Sequence, residues 1–432
     1  MADVAPQSST ALFTDRYELT MLAAALVDGT AERRCTFEVF GRRLPNGRRY
    51  GVVAGVPRLL EAVAAFRFDS ETLDALRADG VVDDRTAAYL ADYRFSGDIS
   101  GYAEGEPYFP YSPIVTVTGS FGEAVLLETV VLSILNHDSA IASAASRMVL
   151  AAGDRPIIEM GSRRTHEQAA VASARAAYLA GFASTSNLAA GRRYGIPTAG
   201  TAAHAFTLVH DSEEAAFASQ VASAGVSTTL LVDTYDSGRG IDTAVAVAGT
   251  SLGAVRIDSG DLAVMAHQAR QQLDALGATH TKIVVSGDLD EYSIAALGSA
   301  PVDFYGAGTS VVVGSGAPTA GLVYKLVEVD GRPVAKRSEN KASIGGRKIA
   351  YRRHRASGTA VEDRIRQAAA ADDIAADPDV RVLTIPLMKS GESVFDATLA
   401  ESRTHHRTVM SALPWEVLKL SKGDPGLPVL FD

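Results

Sequence analysis

Apolar and polar positions follow two different rhythms along this chain. Before about residue 115 the rhythm changes every few residues. Leu19, Leu22, Ala23 and Leu26 recur at helical spacing behind Thr14 and Asp15, either of which can cap a helix, and Gly29 is placed to close it. Thr36 to Phe40 predicts a strand, and Pro45-Asn46-Gly47 a turn into a second strand near Tyr50–Val53. Helical spacing returns over 56–66, 70–79 and 84–93, strands between Asp98 and Val117, and one long helix from about Phe121 to Ala152.

After Ala152 the alternation becomes regular. Apolar runs at 156–160, 182–186, 197–203, 228–233, 252–258, 281–286 and 302–306 are separated mostly by helical windows, among them 211–223 and 260–276. Strands alternating with helices argue for parallel units. Seven or eight such strands predict a closed, irregular (β/α) barrel. A doubly wound open sheet is the alternative, but no GxGxxG follows a first strand. Near Leu322 the pattern changes again. LVYKLVEV, Asp330-Gly331 and PVAKRS predict a hairpin, 353–380 an exposed helix or loop, and Leu383 to Leu387 one more strand. The expected fold is therefore α/β in three parts: an N-terminal α/β sandwich domain over 1–115, the barrel over 116–335, and a segment over 336–432 that packs back on the first part.

Composition narrows the function classes. The 432 residues are 47% hydrophobic and 21% charged, with 41 basic and 51 acidic side chains and hence a net charge of −10. That balance argues against a nucleic-acid binder, although a local arginine cluster can still serve a phosphate-rich small molecule. The single cysteine, Cys35, excludes an intramolecular disulfide framework and points to a reducing, cytoplasmic setting. The first ten residues lack the apolar core of a signal peptide, and no window suggests a transmembrane helix, so no membrane partner is expected.

The polar residues at the strand ends form a series: Arg163, the Ser184–Asn187 patch, His204, Asp233, Arg256 with Asp258, Gly287-Asp288, and Gly306 to Thr309. In a barrel they share one rim, where catalytic groups sit, and together they suit an anionic sugar phosphate and a divalent metal. Small residues in GAGTS free backbone N–H groups for a phosphate. In IDSGD, Asp258 and Asp261 are either helix caps or, for Asp258, a carboxylate facing a ribose or Mg²⁺; Asp288 reads the same way, toward a ribose hydroxyl. His204 is either a histidine satisfied by a carbonyl or, with Asp233 on one ring nitrogen, a nucleophile. The Arg163 fork suits one carboxylate, and Phe182 and Tyr17 offer ring faces, Tyr17 lying off the Leu19–Leu22–Leu26 side of its helix. His405-His406 lacks a third metal ligand nearby.

GSRRTH, AYLAGFASTSN, GIPTAGTAAHAF, LLVDTYD, VRIDSGDL, GAGTSVV and KRSENKAS resemble, in order and over most of the chain, the nicotinate phosphoribosyltransferase family of NAD synthesis. The resemblance implies an enzyme that joins nicotinate to 5-phosphoribosyl 1-pyrophosphate, with Mg²⁺ and with ATP as co-substrate. By it, His204 takes a phosphoryl group from ATP with Asp233 as its orienter, and Tyr17, Arg163 and Phe182 hold nicotinate. Arg256, Asp258, Gly287, Asp288, Gly308 and Thr309 hold the sugar pyrophosphate, Arg42 lies near the pyrophosphate, and Lys336, Ser338 and Lys341 belong to a basic segment near the phosphates. It also implies a homodimer with shared sites, Tyr17 reaching the neighbouring subunit. Ala205 stands where the family commonly carries serine. A nicotinamide-preferring enzyme and a non-catalytic sugar-phosphate-binding regulator are the alternatives.

Overall fold

The strand Arg34–Gly41 buries every residue but its first, because CTFEVF is apolar or small apart from Glu38, whose buried carboxylate accepts from Lys348 Nζ at 2.9 and 3.0 Å. It pairs antiparallel with Leu322–Val329 on one side and Val115–Ser120 on the other. These three are the centre of a seven-stranded sheet whose order is 332–333, 322–329, 34–41, 115–120, 98–101, 385–389, 392–393. Phe37 stacks on Tyr324 with ring centroids 4.8 Å apart, and the Tyr324 hydroxyl donates to the Ala124 carbonyl at 2.8 Å. Leu22, Leu59, Leu126 and Leu127 are fully buried in the same core, each contributing about 1.5–3 kcal/mol.

This computed structural model describes residues 9–336, 343–368 and 377–432. The chain divides into one unit of Met1–Ala140 with Thr319–Asp432 and a second of Ile141–Pro318. The borders thus fall inside the helix Glu128–Ala152 and just before the hairpin strand Leu322–Val329, rather than at 115 and 335.

In the first unit the helices Arg16–Asp28, Val56–Ala64, Ser70–Ala78 and Asp84–Ala91 lie where their spacing predicts, the last two capped by the Asp69 and Asp83 carboxylates. Two expectations change. Gly51–Val52 pairs with Pro107–Tyr108, not with the strand before the Pro45-Asn46-Gly47 turn. Residues 353–380, expected as exposed helix or loop, contain the strand Ala360–Gln367, which pairs antiparallel with Lys348–His354. The sequence AVEDRIRQ hides this strand because one of its inward positions is charged: Asp363 is fully buried.

That inward charge is paired. Arg352, 1% exposed, donates to Asp363 at 2.7 and 2.9 Å and to Glu106 at 2.7 Å. Glu106 also accepts from Arg381 at 2.7 and 2.8 Å and lies 2.9 Å from His405 Nε2. Burial alone would raise the Glu106 carboxyl, but Arg352, His405 and Arg381 outweigh it and hold it far below the usual carboxylate range. His405 therefore serves an ion cluster, and His406 is a core residue whose Nδ1–H donates to the Gly105 carbonyl at 2.8 Å.

The second unit is a six-stranded sheet in the order 184–185, 157–159, 304–307, 282–286, 254–257, 229–231, with every neighbouring pair parallel. The first and last strands of the series in sequence, Ile157–Glu159 and Phe304–Ala307, are neighbours. The expected run 197–203 contributes one bridge, Thr185 to Thr198. Among the described residues no backbone pairing joins it to Thr229–Leu231, so the closed barrel is not formed and the sheet stays open along this seam. The reason is local: past Thr198, GTAA leaves the strand as a loop and His204–Leu208 turns into a short helix. No helix among the described residues is long and apolar enough to cross a membrane.

Burial lowers the His406 pKa from 6.5 to about 4. The unfolded chain therefore binds this proton more readily than the folded one between those values. Stability should fall as pH drops from about 6.5 to 4, by on the order of 2–3 kcal/mol from this group. Urea melts across that range should show a shallower pH slope for His406→Gln; an unchanged slope would assign the acid sensitivity elsewhere.

Candidate active site

Because the strands of the second unit are parallel, their C-terminal ends share one rim. A cavity of about 510 Å³ opens there. Its wall takes residues from the loops that follow five of the strands and the Thr198 bridge, including Arg163, Arg164, Ser186, Thr201, Arg256, Asp258, Gly287, Asp288, Gly308 and Thr309.

Arg256 and Asp258 flank the end of the strand Ala254–Ile257. The guanidinium is pinned three ways: Nε donates to Ser286 Oγ, Nη1 to Thr201 Oγ1 and Nη2 to Asp258 Oδ1, each at 2.8 Å. Ser286 also donates to Asp258 Oδ1. Burial alone would raise the Asp258 carboxyl; the Ser286 hydrogen bond and the Arg256 charge outweigh it and hold it below the ordinary carboxylate range. Asp261, three residues on, accepts from Val264 N and caps the helix Leu262–Ala275, so only Asp258 of this pair faces the cavity.

Arg163 and Arg164 differ from Arg256. Both are exposed and line the cavity, and neither guanidinium has an ion pair or hydrogen bond among the described residues. Beneath their turn, Glu159 is buried, accepts from Gly161 N–H and from Thr185 Oγ1, and is raised above the usual carboxylate range by burial. Gly287 has φ +112°, and a Cβ there would lie 2.5 Å from the Asp258 carbonyl oxygen. Only glycine lets this turn approach so closely. Asp288 follows in the left-handed region at φ +45°, its side chain exposed.

The structure thus gathers Arg163, Arg256, Asp258, Gly287, Asp288, Gly308 and Thr309 around one cavity. His204 begins the helix next to the lining residue Ala203. Its contact differs from the expected one. His204 Nδ1 lies 3.1 Å from Thr234 Oγ1, whereas Asp233 Oδ2 accepts from Asp258 N–H at 2.8 Å and Ser259 Oγ at 2.7 Å. Asp233 is committed to the neighbouring strand end and does not orient the ring, since Thr234 stands there instead; its Oδ1 is buried without a hydrogen bond. Phe182 is fully buried and absent from the cavity wall, so as placed it is core, at the start of its strand rather than the end.

Tyr17, Arg42 and Lys336 belong to the other unit. Tyr17 is 43% exposed, and burial together with the Glu128 carboxylate pushes its hydroxyl well above the usual range. Arg42 lines a separate cavity of about 410 Å³ with Arg43 and Arg48, and the Lys336 backbone N–H donates to Ser343 Oγ. Ser338 and Lys341 lie outside the described residues. Ala205 is exposed and offers no hydroxyl. Thr201, Thr234 and Ser286 were not singled out from sequence; small hydroxyl residues are common, and only the spatial partner shows which ones hold a site.

A parallel-sheet α/β protein with exposed arginines and carboxylates lining a cavity at the strand C-termini is the class these features define. The chain belongs to the nicotinate phosphoribosyltransferase family. Residues 12–136 match the family's N-terminal domain and residues 156–371 its main family model. It is 61% identical over 430 residues to nicotinate phosphoribosyltransferase pncB1 of Mycobacterium tuberculosis H37Rv, covering 98% of this chain and 95% of that one. It is 39% identical over 359 residues to nicotinate phosphoribosyltransferase of Bacillus subtilis, covering 80% and 73%. The crystal structure of human nicotinic acid phosphoribosyltransferase superposes with a TM-score of 0.84 at 26% identity, covering 97% of this chain and 98% of the other.

Two glycines separate strain from collision. Gly29, at φ +81°, has nothing near an added Cβ, whereas Gly287 adds the 2.5 Å approach to its positive φ. Gly29→Ala should cost about 1 kcal/mol and Gly287→Ala roughly 2–4 kcal/mol in denaturant melts. Equal costs would show that the Asp258–Gly287 approach relaxes freely.

Proposed function

We propose that this chain joins nicotinate to 5-phosphoribosyl 1-pyrophosphate, giving nicotinate mononucleotide and pyrophosphate, in salvage synthesis of NAD. The observation that carries this reading is one cavity lined both by two unpaired guanidinium forks and by the Asp258 and Asp288 carboxylates with a glycine turn. A flat monocarboxylate and a sugar polyphosphate need those two kinds of group side by side. In the reaction the pyridine nitrogen bonds to the ribose C1 as the bond from C1 to the pyrophosphate oxygen breaks, and its electron pair leaves with pyrophosphate.

Arg163 is the nicotinate carboxylate partner in this reading. Asp258 and Asp288 accept from ribose hydroxyls, Arg256 adds positive charge toward the pyrophosphate while pinning Asp258, and Gly308-Thr309 present backbone N–H groups to the 5-phosphate. Among the described residues no three acidic, histidine or cysteine side chains are grouped to hold a metal. Mg²⁺ is commonly bound by one or two carboxylates plus substrate phosphates; Asp258 would be its carboxylate here, and the ion would supply positive charge to the leaving pyrophosphate.

ATP coupling completes the reading. A His204 ring nitrogen takes the terminal phosphoryl group, the N–P bond forming as the bond to the bridging oxygen of ADP breaks. Thr234 holds the ring. The chain acts as a cytoplasmic homodimer, with Tyr17 of one subunit stacking on the pyridine in the site of the other, as its exposed ring permits. A nicotinamide-preferring enzyme has less support, since two unpaired arginines favour an anionic ring.

Turnover of nicotinate with the sugar pyrophosphate, ATP and Mg²⁺ is the direct test. His204→Ala should keep the fold by circular dichroism and lose acid-labile labelling from [γ-³²P]ATP; undiminished labelling would place the phosphoryl group on another residue. Mixed with Tyr17→Ala under subunit exchange, it should regain activity, and failure despite confirmed exchange would place the site within one chain. Arg163→Ala should lower kcat/KM for nicotinate about thirtyfold, roughly 2 kcal/mol, and far less for any residual use of the amide. Equal losses would assign Arg163 to the sugar phosphate.

A further inference from the structure

Behind the cavity, one carboxylate touches two of its loops without facing the cavity itself. Glu291 opens the short helix Glu291–Ala296, three residues after the lining residue Asp288, and is 2% exposed. Its Oε1 accepts from Arg147 Nε at 3.0 Å, and both side chains of that pair are 3% exposed. Its Oε2 accepts from Ser315 Oγ. Arg147 Nη2 also donates to the Tyr292 hydroxyl at 3.2 Å, so the guanidinium is tied to two successive residues of this helix.

Ser315 closes the other loop. Gly308 and Thr309 line the cavity, and the helix Thr309–Val312 ends in a turn where Ser315 N–H donates to the Ser310 carbonyl at 2.7 Å. Ser315 sits at φ +51°, a conformation a serine holds only where its surroundings impose it. The turn bond to Ser310 and the hydroxyl bond to Glu291 both hold it there. The Asp288 loop and the Gly308–Thr309 loop are thereby fixed to one buried anion, and that anion is fixed to Arg147 on the long helix Glu128–Ala152.

We propose that Glu291 is a positioning residue for sugar-phosphate binding: through Ser315 it sets the spacing between the ribose-side loop and the phosphate-side loop of the cavity. This rests on the functional reading above for what the two loops hold. A group misplaced by a fraction of an ångström loses much of its binding, so a support of this kind is felt in affinity. The bonds of this network run to the Asp288 side and to the turn after Gly308–Thr309, so the nicotinate side should be spared.

Ser315→Ala removes the bond to the loop and leaves the buried Arg147–Glu291 pair intact, so it tests position without exposing a lone buried charge. Equilibrium binding of 5-phosphoribosyl 1-pyrophosphate by calorimetry, turnover, and thermal melts are measured for wild type, Ser315→Ala, Glu291→Gln and the double variant. Each single variant should raise the Kd and KM for the sugar pyrophosphate about tenfold, with kcat and the KM for nicotinate within about twofold, and the double variant should add little because both cut one link. An unchanged Kd in Ser315→Ala overturns the proposal, as does an equal loss across all substrates that tracks the melting temperature. Wild-type binding without nicotinate turnover would instead overturn the functional reading, and the Kd comparison would still decide this one. Absence of wild-type binding overturns both.

Discussion

The guanidinium of Arg256 holds the candidate site together. Its three donors reach a strand end, a neighbouring strand end and the loop before His204, through Asp258, Ser286 and Thr201. Arginine stays charged at every pH a protein meets, and its planar fork fixes direction as well as distance. Asp258 is therefore kept ionised and oriented, and its backbone N–H reaches on to Asp233. Removing Arg256 would release the carboxylate, two hydroxyls and the loop together, so this residue belongs to the frame of the site as much as to its surface.

The same bonds do a second task. The sheet of this unit runs in order from the Thr198 bridge to Thr229–Leu231, and among the described residues no ladder joins these two ends. Across that seam the chain uses side chains: His204 meets Thr234, and Arg256 meets Thr201. Side-chain hydrogen bonds are fewer and more adjustable than a strand ladder. They place His204 on a short helix beside the opening rather than on a strand.

Charge is treated differently elsewhere. In the first unit Glu106, Asp363 and Arg352 are buried to about the same degree as core leucines and meet one another at 2.7–2.9 Å. Buried ions survive because each finds a partner. At the cavity Arg163 and Arg164 are left without partners among the described residues, and exposure to water is what makes that tolerable. Satisfied charge reads as structure, and unsatisfied charge at a cavity reads as a place for a ligand.

The sequence alone located the six strands of the second unit and the helices Glu213–Ala224 and Leu262–Ala275, because period-2 and period-3.6 patterns are local and the strand ends are marked by glycine and polar residues. It also identified seven residues of the cavity wall, since parallel strands put their C-terminal ends on one side wherever the sheet closes or not. It misjudged what depends on distant partners. The charged strand Ala360–Gln367 reads as loop until Arg352 and Glu106 are seen beside Asp363. Phe182 reads as a ring platform until the core closes over it, and Asp233 as the histidine's partner until its carboxylate is found on Asp258 and Ser259. Thr201, Thr234 and Ser286 carry no mark in the chain at all. A hydroxyl's role is set by which atom lies within about 3 Å of it, and that distance exists only after the chain has folded.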